Sequence, residues 1–407
     1  MHQPSHIQGL ALEDLANEFG TPLYVYDGEK IFSQVSALHK AFAGVPLKIK
    51  YATKALSSLS ILRLIRKAGA ELDAVSIEEV KLGLLAGASP AEIMYTPSGV
   101  GFEEIQEAVR IGVMINLDSL PLLERFGQTY GSSVPVCIRL NPHILAGGNL
   151  KISVGHKESK FGISIEQLDD VLALVRRYEI PVVGLHIHTG SDILDGAIFL
   201  EGGKVLFNAA MQFPDLRFLD FGGGFKVAYK PDDPATDVAE VGRVVGKAFQ
   251  EFCVQYGRQL ELWIEPGKFI VSEAGYLIVK ATVVKETPAI HFVGVDSGLN
   301  HLIRPMMYDA YHGVYNLSNP TGPTSTYSVV GYICETDTLA AERSLNEVKE
   351  GDLLVLKNAG AYGFTMASNY NARLRPAEVL IWQGKALLIR RREHFDDLIR
   401  HQELHDL

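Results

Sequence analysis

The chain has 407 residues, of which 47% are hydrophobic and 21% are charged, and its formal net charge is -10. These proportions are typical of a globular protein, exclude intrinsic disorder and allow one large barrel plus a second domain. The acidic balance argues against nucleic acid and acidic membrane surfaces as partners, because basic patches bind both, but it does not exclude a small anionic ligand.

The N-terminal stretch "MHQPSHIQGLALEDLANEFG" has no basic start followed by an apolar core, so no signal peptide is expected. No apolar run approaches the ~20 residues that a membrane span needs. Cys137, Cys253 and Cys334 show no metal-ligand spacing, so no metal site is predicted, and an odd number of cysteines cannot all pair. These features predict a protein of the reducing cytoplasm.

Between residues 45 and 268, short β-branched or aromatic runs alternate with amphipathic helical patterns, several of which end in glycine, a favoured helix C-cap. The predicted strands are "LKIKYA", "ELDAVS", "EIMYTP", "GVMINLD", "PVCIRLNP", "VVGLHIHTGS", "LRFLDFGGG" and "LWIEPG". Strands that alternate with helices pair in parallel. Eight such units in roughly 225 residues predict a (β/α)₈ TIM barrel rather than the alternative, a doubly wound open sheet.

After residue 270 the pattern changes to strands without long helices between them, which predicts an antiparallel β domain. The early run "TPLYVYD" is a strand that precedes the first helix, and we expect it to join this domain. A last amphipathic piece, "EHFDDLIRHQEL", is predicted to be a helix. The predicted domains are therefore a barrel over 28–268 and a β domain over 1–27 and 269–407.

Polar residues and glycines recur where the barrel strands are predicted to end. They are Lys54, Arg139, Asn141, His188, Ser191, Gly222, Gly223, Gly224 and Glu265. Each one alone is more often a cap, a solvated group or a turn than a functional residue. Because active sites of such barrels lie at the carboxyl ends of the strands, their convergence on one rim is the informative feature.

This set suits one kind of ligand. Three consecutive glycines let backbone N–H groups approach an anion, and Ser191 adds a hydroxyl. His188 can lie against a ring, Glu265 can pair with a ring nitrogen and Lys54 can form an imine with an aldehyde. A phosphate, an aromatic ring, a basic ring nitrogen and an aldehyde together describe pyridoxal 5'-phosphate.

The sequence resembles the fold-type III pyridoxal-phosphate decarboxylases, the alanine racemase-like barrel enzymes, and among them most closely the members that act on diaminopimelate. The resemblance covers nearly the whole chain in the expected order. The matching stretches are "YATKA", "HIHTGS", "GGGF", "EPGK", "RPMMYDAYH", "CETD" and "GAYGFTMASNYNARLRPAEVL".

In the barrel, the resemblance implies that Lys54 is the Schiff-base lysine and His188 the ring-stacking histidine. It implies that Glu265 is the partner of the pyridine nitrogen. The phosphate cradle implied by the resemblance consists of Ser191, Gly222, Gly223, Gly224 and Tyr362.

In the second domain, the resemblance implies that Cys334 enters the neighbouring subunit's site, where it protonates the substrate carbon or positions the group that does. It therefore implies a homodimer with active sites shared across the interface. The residues implied to contact an amino-acid substrate are Lys268, Arg304, Tyr308, Glu335 and Tyr362. Of these, Arg304 suits a distal carboxylate and Glu335 a distal ammonium.

The implied activity is decarboxylation of meso-2,6-diaminopimelate to L-lysine and CO₂, the last step of lysine biosynthesis. The alternatives are a related decarboxylase acting on ornithine, arginine or a carboxylated polyamine, a racemase on the same barrel, and a non-catalytic regulator. Arg304 together with Glu335 argues against the first. The "CETD" stretch lacks the tyrosine that a racemase needs, and the retained lysine and glycines argue against the regulator.

Three details need a structural answer. Lys48 and Lys50 share the strand parity of Lys54, and we expect them to point inward and pair with acids such as Asp73, with a solvated rim as the alternative. The family most often has arginine where Lys268 stands, which exchanges a planar fork for a point charge. The family's acid four residues after the cysteine stands only three after it here, as Asp337.

Overall fold

The computed structural model describes residues 3–144 and 155–407. The chain forms two compact units. The barrel unit comprises Phe32–Val227 and Pro234–Ile270, and the β unit comprises Met1–Ile31, Ala228–Asp233 and Val271–Leu407. Within the described ranges, the helices all lack the combination of length and apolar character needed to cross a membrane.

The chain begins with small elements that lead into the barrel. They are β1 (His6–Ile7), β2 (Leu10–Ala11), α1 (Leu12–Phe19), β3 (Leu23–Asp27) and α2 (Gly28–Ala41). β1 and β2 form an antiparallel pair, and α1 buries Leu12 and Leu15 in the core of the β unit.

Eight parallel strands close into the predicted barrel. They are β4 (Leu47–Ala52), β5 (Glu71–Ala74), β6 (Ile93–Tyr95), β7 (Met114–Leu117), β8 (Val136–Asn141), β10 (Val182–Ile187), β11 (Phe218–Asp220) and β12 (Glu261–Ile264), with β9 (Ile163–Ser164) added beside β8. The barrel closes because β8 pairs with β10 and β12 pairs with β4. Each predicted run overlaps one barrel strand, so the predicted fold class is confirmed.

Helices connect the strands, as the alternating pattern predicts. They are α3 (Leu59–Lys67), α4 (Ile77–Leu85), α5 (Phe102–Ile111), α6 (Leu120–Tyr130), α7 (Leu168–Tyr178), α8 (Gly196–Ala210), α9 (Val238–Tyr256) and α10 (Lys268–Val271). Gly112 and Gly257 end α5 and α9 at φ values of 86° and 79°, which a side chain would make costly. Asp237 begins α9 by accepting hydrogen bonds from the N–H groups of Ala239 and Glu240.

Toward the amino ends of its strands, the barrel is filled by a compact cluster of Met94, Cys137, Val183, Phe218 and Trp263. The rings of Phe218 and Trp263 stack with centroids 3.6 Å apart. Because Gly184 has no side chain, the Phe218 ring can occupy the space where a Cβ would otherwise lie.

Lys50 does point into the barrel, but its acidic partner is not Asp73. Its side chain is fully buried, lies 4.1 Å from the centroid of the Trp263 ring and places Nζ 2.6 Å from Glu71 Oε2. The strand register explains the difference, since it sets Lys50 opposite Glu71 and Ala52 opposite Asp73. Lys48, which is partly exposed, also contacts Glu71, at 3.3 Å.

The β unit is a mostly antiparallel sheet, as predicted. Its further elements are β13 (Gly275–Glu286), β14 (His291–Val295), α11 (Arg304–Tyr308), β15 (Val314–Asn316), β16 (Thr324–Val330), β17 (Thr338–Asn346), β18 (Leu353–Leu356), β19 (Ala377–Trp382), β20 (Lys385–Arg390) and α12 (Phe395–Ile399). The sheet order is β17-β16-β14-β13-β3-β19-β20, and β18 pairs with β13 and β15. β3 joins this sheet as expected, although its pairing with β19, like that of β14 with β16, is parallel.

Candidate active site

Lys54 follows β4 directly, in a single 3₁₀ turn of Thr53–Ala55. Thr53 and Ala55 are buried, whereas the Lys54 side chain is exposed. The turn thus presents an amine at the carboxyl end of the barrel. The positive charge of Lys54 acts on two buried neighbours. It partly offsets the rise in the pKa of Asp73, and it helps to lower the pKa of His188.

Asp73, near the end of β5, is buried. Burial, and then the negative charge of Glu265, raises the pKa of Asp73 well above its ordinary value, and Lys54 only partly offsets this. Its Oδ1 atom has no hydrogen-bond partner among the described residues. The site therefore favours the protonated form of this carboxyl group.

The glycine loop after β11 packs closely against the rim. Gly222 and Gly224 have φ values of 67° and 114°, a region that disfavours side chains. The N–H of Gly223 donates to His188 Nδ1 at 3.1 Å, and that of Gly222 donates to Asp220 Oδ1 at 2.8 Å. These two N–H groups hold the loop against its neighbours. A Cβ at Gly222 would lie 2.6 Å from His188 Nδ1 and one at Gly223 would lie 2.3 Å from Glu265 O, so the close approach requires glycine.

The same loop orients His188. Since His188 Nδ1 accepts from Gly223, a single ring proton belongs on Nε2. Burial lowers the pKa of His188 well below its ordinary value, and the charges of Arg139 and Lys54 lower it further. The ring is therefore neutral, half-buried and fixed in orientation.

Glu265, just after β12, is a buried carboxylate whose backbone N–H donates to Gly222 O at 2.8 Å. Burial alone would raise its pKa, but the adjacent N–H of His186 and the charge of Arg139 outweigh burial and lower the pKa. Its Oε2 lies 3.3 Å from His186 Nε2, and its Oε1 has no hydrogen-bond partner in the described part of the chain. Glu265 thus offers an ionised oxygen to a buried cationic group.

Three neighbours of Glu265 were not among the predicted site residues. They are Asn116, His186 and Asp220, all buried. His186, Asp220 and Glu265 bring ligand atoms within 4.8 Å of one another. A metal ion does not suit this cluster, because burial, and then Glu265, raises the pKa of Asp220 and disfavours the carboxylate form that a metal ligand needs. The parity that His186 shares with His188 is the sequence signal that could have identified it.

Two further predicted residues lie on the rim. Ser191 is half-buried in the segment that follows β10. Lys268, at the start of α10, places Nζ 2.6 Å from Asp192 Oδ1 and is itself largely buried. Lys268 therefore has an acidic partner within the barrel, which gives it a positioning role whether or not it also contacts a substrate.

In the β unit, Arg304 begins α11 and is only 7% exposed. Its guanidinium lies 5.1 Å from the centroid of the Tyr229 ring, whose hydroxyl is 3.0 Å from Ser272 Oγ. No carboxylate of the described residues lies within ion-pairing distance of Arg304, and its Nε has no hydrogen-bond partner there. Tyr308, on the same helix, is half-buried. An aromatic ring thus supports a buried cation that has no anionic partner.

Cys334 and Glu335 are exposed on the loop between β16 and β17, where a second loop meets them. Asn371 Nδ2 donates to Cys334 Sγ at 3.0 Å, and the Tyr370 hydroxyl donates to Glu335 Oε1 at 2.6 Å. These contacts hold a thiol and a carboxylate side by side on the surface of the β unit. Sequence separation hid Tyr370 and Asn371, although both belong to the matching stretch "ASNYNARLRP".

Asp337 and Tyr362 complete the predicted set in this unit. Asp337 is buried and accepts the N–H groups of Leu299, at 2.6 Å, and Ile333, at 2.9 Å, so it shapes the cysteine loop. Tyr362 has φ of 54°, an unusual conformation for a bulky residue. Such strain concentrates at functional sites.

The barrel residues fit pyridoxal phosphate on three observations. Lys54 presents an exposed amine at the rim, Glu265 has a buried oxygen without a hydrogen-bond partner in the described residues, and the glycine loop approaches His188 and Glu265 more closely than any side chain would allow. A neutral imidazole, His188, lies between the loop and the acid. These are the donor and acceptor types that an aldehyde, a basic ring nitrogen and a phosphate require.

Comparison with known proteins supports a pyridoxal phosphate site in the barrel. Residues 28–272 match the family described as "Pyridoxal-dependent decarboxylase, pyridoxal binding domain". The chain is 36% identical to a diaminopimelate decarboxylase of Methanothermobacter thermautotrophicus, over 98% of this chain and 95% of the relative. A crystal structure of diaminopimelate decarboxylase has a TM-score of 0.91 at 34% identity, covering 98% of this chain and all of that one (100%).

The diaminopimelate decarboxylase of Helicobacter pylori, solved in complex with L-lysine, has a TM-score of 0.88 at 33% identity. The match covers 95% of this chain and 98% of that one, so the likeness extends through both units. The chain belongs to the pyridoxal-dependent decarboxylases.

Proposed function

We propose that this protein decarboxylates meso-2,6-diaminopimelate to L-lysine and CO₂, the last step of lysine biosynthesis, with pyridoxal 5'-phosphate as cofactor. The observation that carries the substrate assignment is Arg304, a buried guanidinium without a carboxylate partner in the described chain. Burying an unpaired charge is costly, so such a group is retained where a ligand supplies the counter-charge. A substrate with a carboxylate at its far end supplies it.

The barrel residues bind and orient the cofactor. When bound, pyridoxal phosphate supplies an aldehyde for an amine and a protonated ring that accepts the electrons left by a departing carboxylate. Lys54 is the amine that would hold the aldehyde, and His188 would lie against the ring. Glu265 would keep the proton on the ring nitrogen, because its lowered pKa favours the negatively charged form. Ser191, Gly222, Gly223, Gly224 and Tyr362 form the phosphate site.

The residues of the β unit recognise the two ends of the substrate. Arg304 and Tyr308 bind the distal carboxylate, and Glu335, held by Tyr370, binds the distal ammonium. Lys268 contributes at the rim through its pairing with Asp192. Ornithine has a distal ammonium but no distal carboxylate, so it would leave Arg304 without a counter-charge.

Cys334 holds the proton that the substrate carbon receives after CO₂ leaves, and Asn371 keeps its sulfur in place. We infer that Cys334 and Glu335 act in the site of a second copy, because both are exposed on the β unit. The protein is therefore a homodimer with shared sites. Its unpaired cysteines suit the cytoplasm.

The decisive experiment combines a chemical label with a substrate comparison. Borohydride reduction followed by peptide mapping should place the cofactor on Lys54, and CO₂ should be released from meso-diaminopimelate but not from ornithine. A cofactor label on another residue contradicts the role of Lys54. CO₂ release from ornithine alone contradicts the substrate, racemisation without CO₂ favours the racemase, and a colourless protein that binds no cofactor favours the regulator.

Shared sites have their own test. The variants Lys54→Ala and Cys334→Ala should each be inactive alone. Coexpressed, they form mixed dimers that contain one intact site, so about a quarter of the wild-type activity should return if assembly is random and two-fold symmetric. If no activity returns while mixed dimers are isolated, Cys334 serves the site of its own subunit.

A further inference from the structure

Behind Glu265 lies a short chain of buried side chains contributed by three barrel strands. Asn116 on β7, His186 on β10 and Glu265 after β12 are all buried. Asn116 Nδ2 is 2.7 Å from His186 Nδ1, and His186 Nε2 is 3.3 Å from Glu265 Oε2. The first is a strong hydrogen bond, whereas the second is long and poorly aligned, since Nε2 lacks a well-formed hydrogen bond within the described structure.

Chemistry restricts how this chain is protonated. Glu265 is ionised, so its oxygen accepts only, and His186 Nε2 must carry a proton to face it without repulsion. Burial lowers the pKa of His186, with Glu265 opposing and the charges of Arg139 and Lys54 assisting, so the imidazole holds one proton and not two. That proton is on Nε2, and Nδ1 presents a lone pair.

A lone pair on Nδ1 requires a donor opposite it. Of the two ends of the Asn116 amide, only the NH₂ group can donate, and that end faces Nδ1, while Asn116 Oδ1 has no partner in the described residues. An aspartate at this position would accept only and would draw a second proton onto the ring. The asparagine thus determines the charge of the histidine.

We propose that Asn116 is a positioning residue which fixes His186 as the neutral Nε2–H tautomer, so that Glu265 keeps its full negative charge for the ring nitrogen of the cofactor. The proposal rests on the proposed function only through the role of Glu265. A cationic His186 would partly neutralise the Glu265 carboxylate and weaken its interaction with a protonated cofactor ring. The charged and titratable groups that face His186 are Glu265, Arg139, Lys54 and, on the neighbouring strand, Asp220.

The first test reads the tautomer directly in the cofactor-bound enzyme. Histidine labelled with ¹⁵N distinguishes protonated from unprotonated ring nitrogens, and the difference from His186→Gln assigns the signal among the 13 histidines. We expect Nε2 protonated and Nδ1 unprotonated between about pH 6 and 8, where an ordinary histidine titrates. A proton on Nδ1 alone, or on both nitrogens, would overturn the proposal.

The second test changes the donor. Asn116→Asp is nearly isosteric and should protonate both nitrogens of His186. The pH midpoint of the cofactor's absorbance change should then fall by about one unit, the size expected from one neighbouring charge. Asn116→Leu, which neither donates nor accepts, should leave the His186 ring neutral and give a smaller shift. An unchanged ¹⁵N pattern and midpoint in Asn116→Asp would refute the role of Asn116.

A matched control separates this effect from loosening of the fold. Asn316 is also a buried asparagine that donates through Nδ2, to Glu347 O and Asp352 Oδ2 in the β unit. Asn316→Asp should lower the unfolding temperature without moving the absorbance midpoint, and a moved midpoint would count against a specific role for Asn116. Neither test uses a substrate, so both remain valid if the proposed substrate is wrong. If the protein does not bind pyridoxal phosphate, the cofactor assignment is refuted, but the tautomer of His186 can still be measured.

Discussion

Two lysines, one on β4 and one in the turn that follows it, show how the two ends of the barrel differ. Lys50 is fully buried, with Nζ 2.6 Å from Glu71 and 4.1 Å from the centre of the Trp263 ring. Lys54, four residues later, is exposed at the rim, and burial raises the pKa of Asp73 beside it. At the amino end of the barrel a buried charge has a partner and an aromatic ring, whereas at the carboxyl end buried oxygens of Asp73 and Glu265 have no hydrogen-bond partner in the described chain.

Within the described part of the barrel, most buried side-chain atoms without a hydrogen-bond partner lie at the carboxyl ends of the strands or just beyond them. Buried side-chain atoms without a hydrogen-bond partner in the described chain include Thr53 Oγ1, Asp73 Oδ1, Thr96 Oγ1, Thr189 Oγ1, Asp220 Oδ2 and Glu265 Oε1. Leaving such a group unsatisfied costs about 1–3 kcal/mol. The difference teaches that one end of this barrel is built for stability and the other gives up stability for binding.

Lys54→Ala should show the largest effect on function. CO₂ release should fall below detection, because the amine that holds the cofactor is lost. The free energy of unfolding should change by no more than about 0.5 kcal/mol, since the side chain is exposed. Steady-state assays and urea unfolding measure the two quantities, and a strongly destabilised variant would contradict the division between the two ends.

Lys50→Met should show the opposite pattern. Removing one partner of a buried pair leaves Glu71 without its closest cation, so we expect a loss of about 3 kcal/mol in the free energy of unfolding. The specific activity of the folded fraction should be unchanged. Adding Glu71→Gln should recover part of the loss, and no recovery would show that Lys50 acts mainly through its contact with Trp263.

Asp73→Asn should alter the pH dependence of stability. The folded-state pKa of Asp73 lies above its ordinary value of 3.8, so the folded protein keeps a proton that the unfolded chain releases as the pH rises. The stability that wild-type Asp73 contributes therefore falls as the pH rises above that value. In cofactor-free protein, the variant should gain stability relative to wild type from about pH 5 to 8, as thermal unfolding will show. A gain toward low pH would mean that the pKa is lowered instead.

Lys268→Met should have the smallest effect. It removes the 2.6 Å pairing with Asp192 near the rim. Partial exposure of Asp192 limits the cost to about 1 kcal/mol in unfolding free energy. Asp192→Asn is the matched control and should cost a similar amount. If only Lys268→Met raises KM for diaminopimelate, the lysine contacts the substrate as well as Asp192.

Much of the site could be predicted because it follows from strand periodicity. Parallel strands bring their carboxyl ends together, so Lys54, His188 and Glu265 converge whatever the details of packing. The partner of Lys50 could not be predicted, since Glu71 and Asp73 differ only by the register of β5 against β4. One register step of two residues decides which acid a lysine meets.

Other features depend on contacts between distant segments. Asn116 lies inside the apolar run "MINL" and acquires its role only through His186, 70 residues away. Similarly, the contact of Cys334 with Asn371 joins two irregular loops.

The left-handed backbone at Tyr362 has a consequence for engineering. Glycine would relieve the conformational penalty there, so a search for thermostabilising substitutions would favour that exchange. It would also delete a phenol that we assign to the cofactor's phosphate. The exchange would give a more heat-resistant protein that binds pyridoxal phosphate more weakly, so Tyr362 should be kept despite its conformational cost.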